Sequence, residues 1–373
     1  MNKFKFYFIV FCSLFVLFSC NKADDVYYEV LRDFSAQKDT DEATLEDFLK
    51  KHYIEEIVDH PGFPDDQDIK ITLIPDNNTT LESLWDSPLL KSKEVEYYDL
   101  TYTIYYLQLR EGTGKAPSRV DQVLTSYDGY AINYGNVSVI QRDTDGNPIL
   151  DGQGNPRTKT VNVPVGKQFE YVQFPETFFS LTQTIIGWPE TFMMFKSGTA
   201  INNPGSPTSY NDFGAGVMFL PSALAYYNVA RANIPSYSCL MFSFKLYDVI
   251  HADQDGDGIV SIDEDINHDG LFTNDDTDGD GTQDYLDKDD DGDGYLTKAE
   301  IQYIHRDDPD QIVRYYPFNG AAADDPSTPY VDERQGIPRK FTGPNGTALP
   351  EDFTDPARLR RHLDKTAFPP YNQ

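Results

Sequence analysis

Asp253, Asp255 and Asp257, with Gly258 behind them and Glu264 further on, are the residues whose types and spacing most clearly suit a chemical task. A hard cation such as Ca2+ takes oxygen ligands all round. A short loop supplies them through carboxylates at its first, third and fifth positions, a glycine turn at the sixth, a backbone carbonyl at the seventh and a bidentate acid at the twelfth. Ile259 would give that carbonyl. Asp289, Asp291, Asp293, Gly294, Tyr295 and Glu300 repeat the pattern, and Val260 and Leu296 would supply small apolar contacts between the loops. Two looser units lie between them. Asp265, Asn267, Asp269 and Gly270 lead to Asp276, and Asp276, Asp278, Asp280 and Gly281 lead to Asp284 and Asp287.

From Asp253 to Glu300, eighteen Asp and Glu stand against two Lys, so −16 of the chain's formal −30 lies in 48 residues. Such a run repels itself and extends without cations; with calcium it should become a compact, stiff spacer. A helix that could leave a loop is expected only after the last one, at Lys298 to His305, so the expectation is about two to four Ca2+ in a structural role.

A second stretch, Thr184-Ile185-Ile186-Gly187-Trp188-Pro189, joins a strand-like run (Phe178 to Leu181) to an amphipathic run (Glu190 to Lys196). Gly187 permits close backbone approach and Pro189 suits a first helical turn. Trp188 is then held at a strand-to-helix junction, as core or as the floor of a pocket.

The elements that must position these residues follow from periodicity. Asp39 to Ile54 has helical spacing, with Leu45, Phe48, Leu49 and His52 on one face and Thr40 or Asp41 as N-cap. His52 and His60 are expected as surface or structural histidines. Ile69 to Ile74 is a strand candidate, and no element is assigned from there to about Lys93. Leu100 to Leu109 alternates β-branched and aromatic residues, and Val120 to Tyr127 is a second strand, ending at Asp128-Gly129. An excursion from Ala131 to Gly166 carries two turn signals, Asp145-Gly146-Asn147-Pro148 and Asp151 to Pro156. Strands are expected again at Phe169-Glu170, Val217 to Leu220 and Leu240 to Ile250, with a loop at Asn202 to Pro207. Cys239 has the setting of a buried small hydrophobe. Beyond Pro309 only isolated aromatics appear, with a short helix expected at Ala357 to Leu363.

Lys3 and Lys5 precede an apolar run from Phe6 to Phe18 that is too short for a stable membrane span and suits a signal peptide. Leu17-Phe18-Ser19-Cys20 resembles a bacterial lipobox, which implies a lipid on Cys20 and a lipid-anchored place in the cell envelope, at the periplasmic or surface face of the outer membrane. Asn21 to Asp25 is similar to the acidic run behind that cysteine in surface lipoproteins of the Bacteroidota. Net charge argues against nucleic acid as a partner.

In order along the chain, Val123 to Gly129 (V-x-x-x-Y-x-G), Gly166 to Glu170 (G-x-x-F-E), Ile185 to Trp188 (I-x-G-W), Pro221 to Tyr227 (P-x-x-x-A-Y-Y), Ile234-Pro235 and Leu240 to Leu246 (L-x-F-x-x-x-L) resemble the FK506-binding-protein (FKBP) type of peptidyl-prolyl cis-trans isomerase. The resemblance covers roughly Leu100 to Ile250. It implies an α+β fold, a curved antiparallel sheet wrapped around one short helix at about Pro189 to Lys196. Trp188 would lie under a bound prolyl ring. Tyr127, Phe169, Phe242 and one of Phe178 and Phe179 would wall the pocket, Ile185 and Ile234 would add apolar edges and N–H groups, and the Tyr226 hydroxyl would donate to a substrate carbonyl. Glu170 replaces the family's Asp, Thr184 an aliphatic residue and Tyr227 a Gly. The partners implied are proline-containing segments of exported proteins, isomerised or, in the alternative, only bound. The acidic units resemble thrombospondin type 3 repeats more than paired EF-hands. The expected organisation is a signal at 1–19, a tether and one-helix extension at 20–98, the FKBP-like domain at 99–250 with insertions near 131–166 and 199–216, the calcium loops at 251–305 and a Pro/Gly-rich tail at 306–373.

Overall fold

The structure is a computed structural model that describes residues 31–202 and 204–371. The signal run and Cys20 lie outside the described residues. Helix α1 (Phe34–Lys51) leads into a hairpin of β1 (His52–Ile57) and β2 (Ile69–Leu73). Then come β3 (Leu90–Tyr97), β4 (Leu100–Arg110), β5 (Gln122–Ile140), β6 (Thr158–Val172), β7 (Phe179–Ser180) and the short helix α2 (Gly187–Phe192). A small hairpin of β8 (Thr199–Ile201) and β9 (Ser209–Asn211) precedes β10 (Gly214–Leu220) and β11 (Cys239–Ile250). The main sheet runs β3-β4-β10-β11-β5-β6, with β7 beside the start of β5, and every pair in it is antiparallel.

Period-two alternation decides the layers. Met218, Leu220, Leu240, Phe242 and Phe244 face α2, where they bury Trp188, Phe192 and Phe195. Val217, Phe219, Cys239 and Met241 face the other way and bury Leu45, Phe48 and Leu49 of α1. The class is therefore α+β, an antiparallel sheet over one short helix, with a second helix behind it. Gly187 lets α2 approach β10, because a Cβ there would stand 2.6 Å from the Leu220 side chain.

Several expectations are corrected. Helix α1 begins at Phe34 and ends at Lys51, because His52 to Ile57 is drawn into pairing with β2. His52 is buried, its Nδ1 2.9 Å from Phe48 O, while His60 is exposed. The extension holds strands besides its helix, and β3 joins the main sheet. β5 runs through Asp128-Gly129 without turning: a Cβ at Gly129 would lie 2.7 Å from Phe169 and 3.0 Å from Phe242, so the glycine makes room for rings. The excursion is one long β5–β6 hairpin tipped by twin turns, in which Asp143 Oδ1 accepts from Asn147 N at 2.9 Å and Asp151 Oδ1 from Asn155 N at 2.9 Å. α2 starts earlier than expected and stops at Phe192, and the chain then leaves it as Lys196 N donates to Glu111 O at 2.6 Å.

After the array, a single helical turn, α3 (Thr297–Glu300), replaces the longer exit helix. The chain then enters β12 (Gln302–Ile304), paired with β13 (Val313–Tyr315). The tail contains α4 (Pro350–Thr354) and a turn at Arg361–Leu363 in place of one helix at Ala357 to Leu363. It packs back: Ile259, Ile301, Tyr316, Ile337 and Phe353 form a third core. Leu296 is 53% exposed, so the apolar contact across the array is made by Ile259 and Ile301 instead of Val260 and Leu296. Arg361 is fully buried against Tyr371, 3.8 Å from the ring centroid, and donates to the carbonyls of Glu300 and Gln302. Among the described residues no helix is long and apolar enough to cross a membrane.

Candidate functional site

Trp188 stands on the first turn of α2 with its ring edge-on to Tyr127 (5.0 Å, 83°) and Phe242 (5.2 Å, 82°). Phe179 lies 5.2 Å away, and Phe169 meets Phe242 at 5.6 Å and 87°. Edge-to-face packing of this kind orients rings without filling the space between them. A cavity of about 750 Å³ remains, lined by Tyr127, Phe169, Glu170, Ile185, Trp188, Tyr226 and Phe242, together with Phe178, Phe179, Thr184 and three polar residues, Gln122, Ser180 and Gln183. Both Phe178 and Phe179 line it, where one was expected. Ile234 does not. It is buried in the same core as Trp188 and borders a separate cleft with Tyr134, Val165 and Arg231, to which it is bridged.

The site is apolar below and polar at its rim. Burial raises the Tyr127 phenol above its ordinary pKa, and the negative charge of the neighbouring Glu170 carboxylate raises it further. Among the described residues the Ile185 N–H and the Tyr226 hydroxyl have no hydrogen-bond partner, and Trp188 Nε1 is buried without one. Such a box can admit a small apolar ring and present donors to an adjacent carbonyl. Among the described residues that line it, no nucleophile is paired with a base.

The loop carrying Tyr226 is fixed from behind. Asp41 of α1, 1% exposed, accepts from Ser222 N at 2.8 Å and Ser222 Oγ at 2.6 Å. Burial raises its carboxyl above the usual range despite these bonds. Tyr227 occupies the left-handed region (φ 49°) at the place where the family resemblance has glycine. Phe34 stacks on it at 4.3 Å and 4°, and on Tyr98, itself at φ 50°, at 4.5 Å.

In the acidic array, Asp253, Asp255 and Asp257 bring ligand oxygens within 4.8 Å of one another, as do Asp276, Asp278 and Asp280, and Asp289, Asp291 and Asp293. Asp265 and Asn267 both accept from Asp269 N, so the looser unit is folded as a loop. Asp287 accepts from Asp289 N at 3.0 Å at the entry to the last loop. Glu300 is not gathered into the cluster of its own loop; its Oε1 accepts from the Tyr371 hydroxyl at 2.9 Å. Ile259 is buried in the third core, while Tyr295 is exposed and stacks on Phe368. Burial and neighbouring acids push Glu264 up to about 11 and Glu300 up to about 8. The residues fit a hard cation: among the described residues several buried carboxylate oxygens, including both of Glu264, have no hydrogen-bond partner.

A fourth cluster was not foreseen, Asp257, Glu264 and Asp290. Asp290 falls between ligand positions, where the loop pattern is silent. The signal available in sequence was an acid where the first loop has Gln254. Gln254 itself donates to Val120 O at 2.7 Å and to Ser180 Oγ at 3.5 Å, so this position points out of its loop toward neighbours.

Residues 254–330 match the family model described as BamM C-terminal, which covers the array and the start of the segment packed on it. No curated protein sequence matches the chain. Solved structures similar to it include a peptidyl-prolyl cis-trans isomerase from Pseudomonas syringae pv. tomato (21% identity, 44% of this chain, 82% of that one, TM-score 0.26). FkpA from Escherichia coli is another (23% identity, 39% of this chain, 47% of that one, TM-score 0.24). The N-terminal domain of FKBP42 from Arabidopsis thaliana is a third (11% identity, 44% of this chain, 97% of that one, TM-score 0.22).

Proposed function

We propose that this chain is a peptidyl-prolyl cis-trans isomerase that acts on proline-containing segments of exported proteins, held in the cell envelope by a lipid on Cys20 and stiffened by structural calcium. The observation that carries the reading is the aromatic cavity over Trp188 with unpartnered donors at Ile185 and Tyr226. Rotation about an X–Pro bond faces a barrier of roughly 18–20 kcal/mol because the planar amide must lose conjugation. A prolyl ring resting on the Trp188 indole would leave its peptide bond at the rim. The twisted amide is less polar than the planar one and is favoured there, while the Ile185 N–H and Tyr226 hydroxyl hold the flanking carbonyl groups. No proton need be transferred at any step.

A proline-peptide isomerisation assay on the full chain tests this. Trp188→Ala should lower kcat/KM at least a hundredfold and Tyr226→Phe about tenfold; a wild-type rate no higher than that of the two variants would refute turnover. The second reading is a module that binds extended proline segments without turnover. It is favoured by Tyr227, pinned under Phe34 beside Tyr226, which removes the freedom a glycine would give that loop. On that reading Trp188→Ala abolishes an affinity and no rate. The calcium role is tested separately, by calorimetry at millimolar calcium.

A further inference from the structure

We propose that Asp257, Glu264 and Asp290 together hold one calcium ion that ties the first acidic loop to the last, with Asp290 as a ligand supplied across loops. The inference rests on the calcium reading above and adds to it a cross-link between units that the sequence pattern treats as separate.

The three residues are each 2% exposed, and their ligand oxygens lie within 4.8 Å of one another. Asp257 Oδ1 accepts from Ile259 N at 2.7 Å, leaving Oδ2 without a partner. Neither oxygen of Glu264 nor either of Asp290 has a hydrogen-bond partner, and the Thr297 hydroxyl beside Asp290 accepts from its backbone N–H at 3.3 Å. Among the described residues no Lys or Arg forms an ion pair with any of the three. Three carboxylates withdrawn from water at this separation need a counter-charge, since burial of an uncompensated charge is strongly unfavourable.

The donor set selects among cations. Five uncommitted carboxylate oxygens suit a calcium ion, which accepts roughly six to eight oxygens in flexible geometry; magnesium keeps several waters and a near-ideal octahedron. Asp257 also belongs to the cluster with Asp253 and Asp255, so it is shared between the loop's own ligands and the cross-link. Asp290 is the second residue of its loop, and the cluster of that loop is made by Asp289, Asp291 and Asp293 without it. The equivalent residue of the first loop, Gln254, likewise leaves its loop to bond Val120.

The test is calcium titration of the full chain by calorimetry, with bound metal counted by elemental analysis, for wild type, Asp290→Asn, Glu264→Gln and the double variant. Asp290→Asn should lose one equivalent of calcium or weaken one site at least tenfold. Glu264→Gln should affect the same equivalent, and the double variant should lose no further one. Melting in EGTA should leave Asp290→Asn as stable as wild type or more so, because a buried repelling charge is gone, with the order reversed in calcium. Wild-type stoichiometry in Asp290→Asn with less than a tenfold loss of affinity, or loss of two separate equivalents in the double variant, would overturn the cross-link and leave the calcium reading intact. Absence of calcium binding by the wild type would overturn both.

Discussion

Arg119 holds Glu190 with both arms of its guanidinium, Nε to Oε1 at 2.6 Å and Nη2 to Oε2 at 3.0 Å. Glu190 follows Trp188 by two residues on α2 and is 6% exposed, and its second partner is Lys93 at 2.8 Å. Burial alone would raise its pKa; the bonds from Arg119 and Lys93 hold it below the usual carboxylate range. The remaining arm of Arg119 donates to Gly270 O in the acidic array. One side chain therefore touches both the helix under the cavity and a candidate calcium loop.

Arg119→Ala should cost about 2–4 kcal/mol of stability, because it strips a buried carboxylate of its better partner. Arg119→Lys should recover only part of that, since an ammonium cannot make the forked contact. Denaturant unfolding in calcium measures both. Loss of the same amount in Arg119→Ala with and without calcium would show that the Gly270 contact adds nothing.

Gly129→Ala should separate activity from folding. The added methyl would press on the tip of the Phe169 ring, which can yield into the cavity, so a stability loss of about 1–3 kcal/mol is expected. Isomerase activity should fall more than tenfold as the ring occludes the prolyl site. Isomerisation kinetics beside a urea melt decide, and unchanged kinetics would place Phe169 outside the working surface.

Calcium removal should lower the melting temperature and expand residues 253–300. Each site saturated a thousandfold above its Kd contributes about 4 kcal/mol by mass action. Scanning calorimetry and small-angle scattering, in calcium and in EGTA, give the two readouts. Coincident melts would contradict a structural role.

His362 should confer a pH dependence of its own. It is 1% exposed, and burial, with the cations of Arg360, Arg361 and Arg358 around it, lowers its pKa to about 3 from the ordinary 6.5. The unfolded chain then binds a proton that the folded chain refuses, so stability is full above pH 6.5 and declines as pH falls from there toward about 3. His362→Asn should remove about 1.4 kcal/mol per pH unit from the slope between pH 6 and 4.5, measured in saturating calcium. Identical slopes would mean that His362 gains its proton without unfolding.

The ring cavity was legible because Tyr127, Phe169, Trp188, Tyr226 and Phe242 each sit in a short motif whose order is fixed by strand succession. Ile234 belonged to such a motif and still fell outside, in the cleft it shares with Arg231. β3 was not legible: LKSKEVEY alternates charge with charge and buries only Val95, so pairing with β4 alone makes it a strand. Asp128-Gly129 carried a turn signal for a glycine that serves packing. The aromatics of the tail have no period, and they meet only where Ile259 and Ile301 give them a floor. Asp290 was hidden because ligand patterns describe one loop at a time.

Glu300 and Tyr371, joined through hydroxyl and carboxylate, are 71 residues apart in sequence. Arg361, which holds the Glu300 and Gln302 carbonyls, also arrives late. The last acidic loop consequently cannot reach its final form before Arg361 and Tyr371 are available to it. Whatever compartment first receives residues 353–371 is where maturation of this segment finishes, and a cation taken up earlier would meet an unfinished cradle.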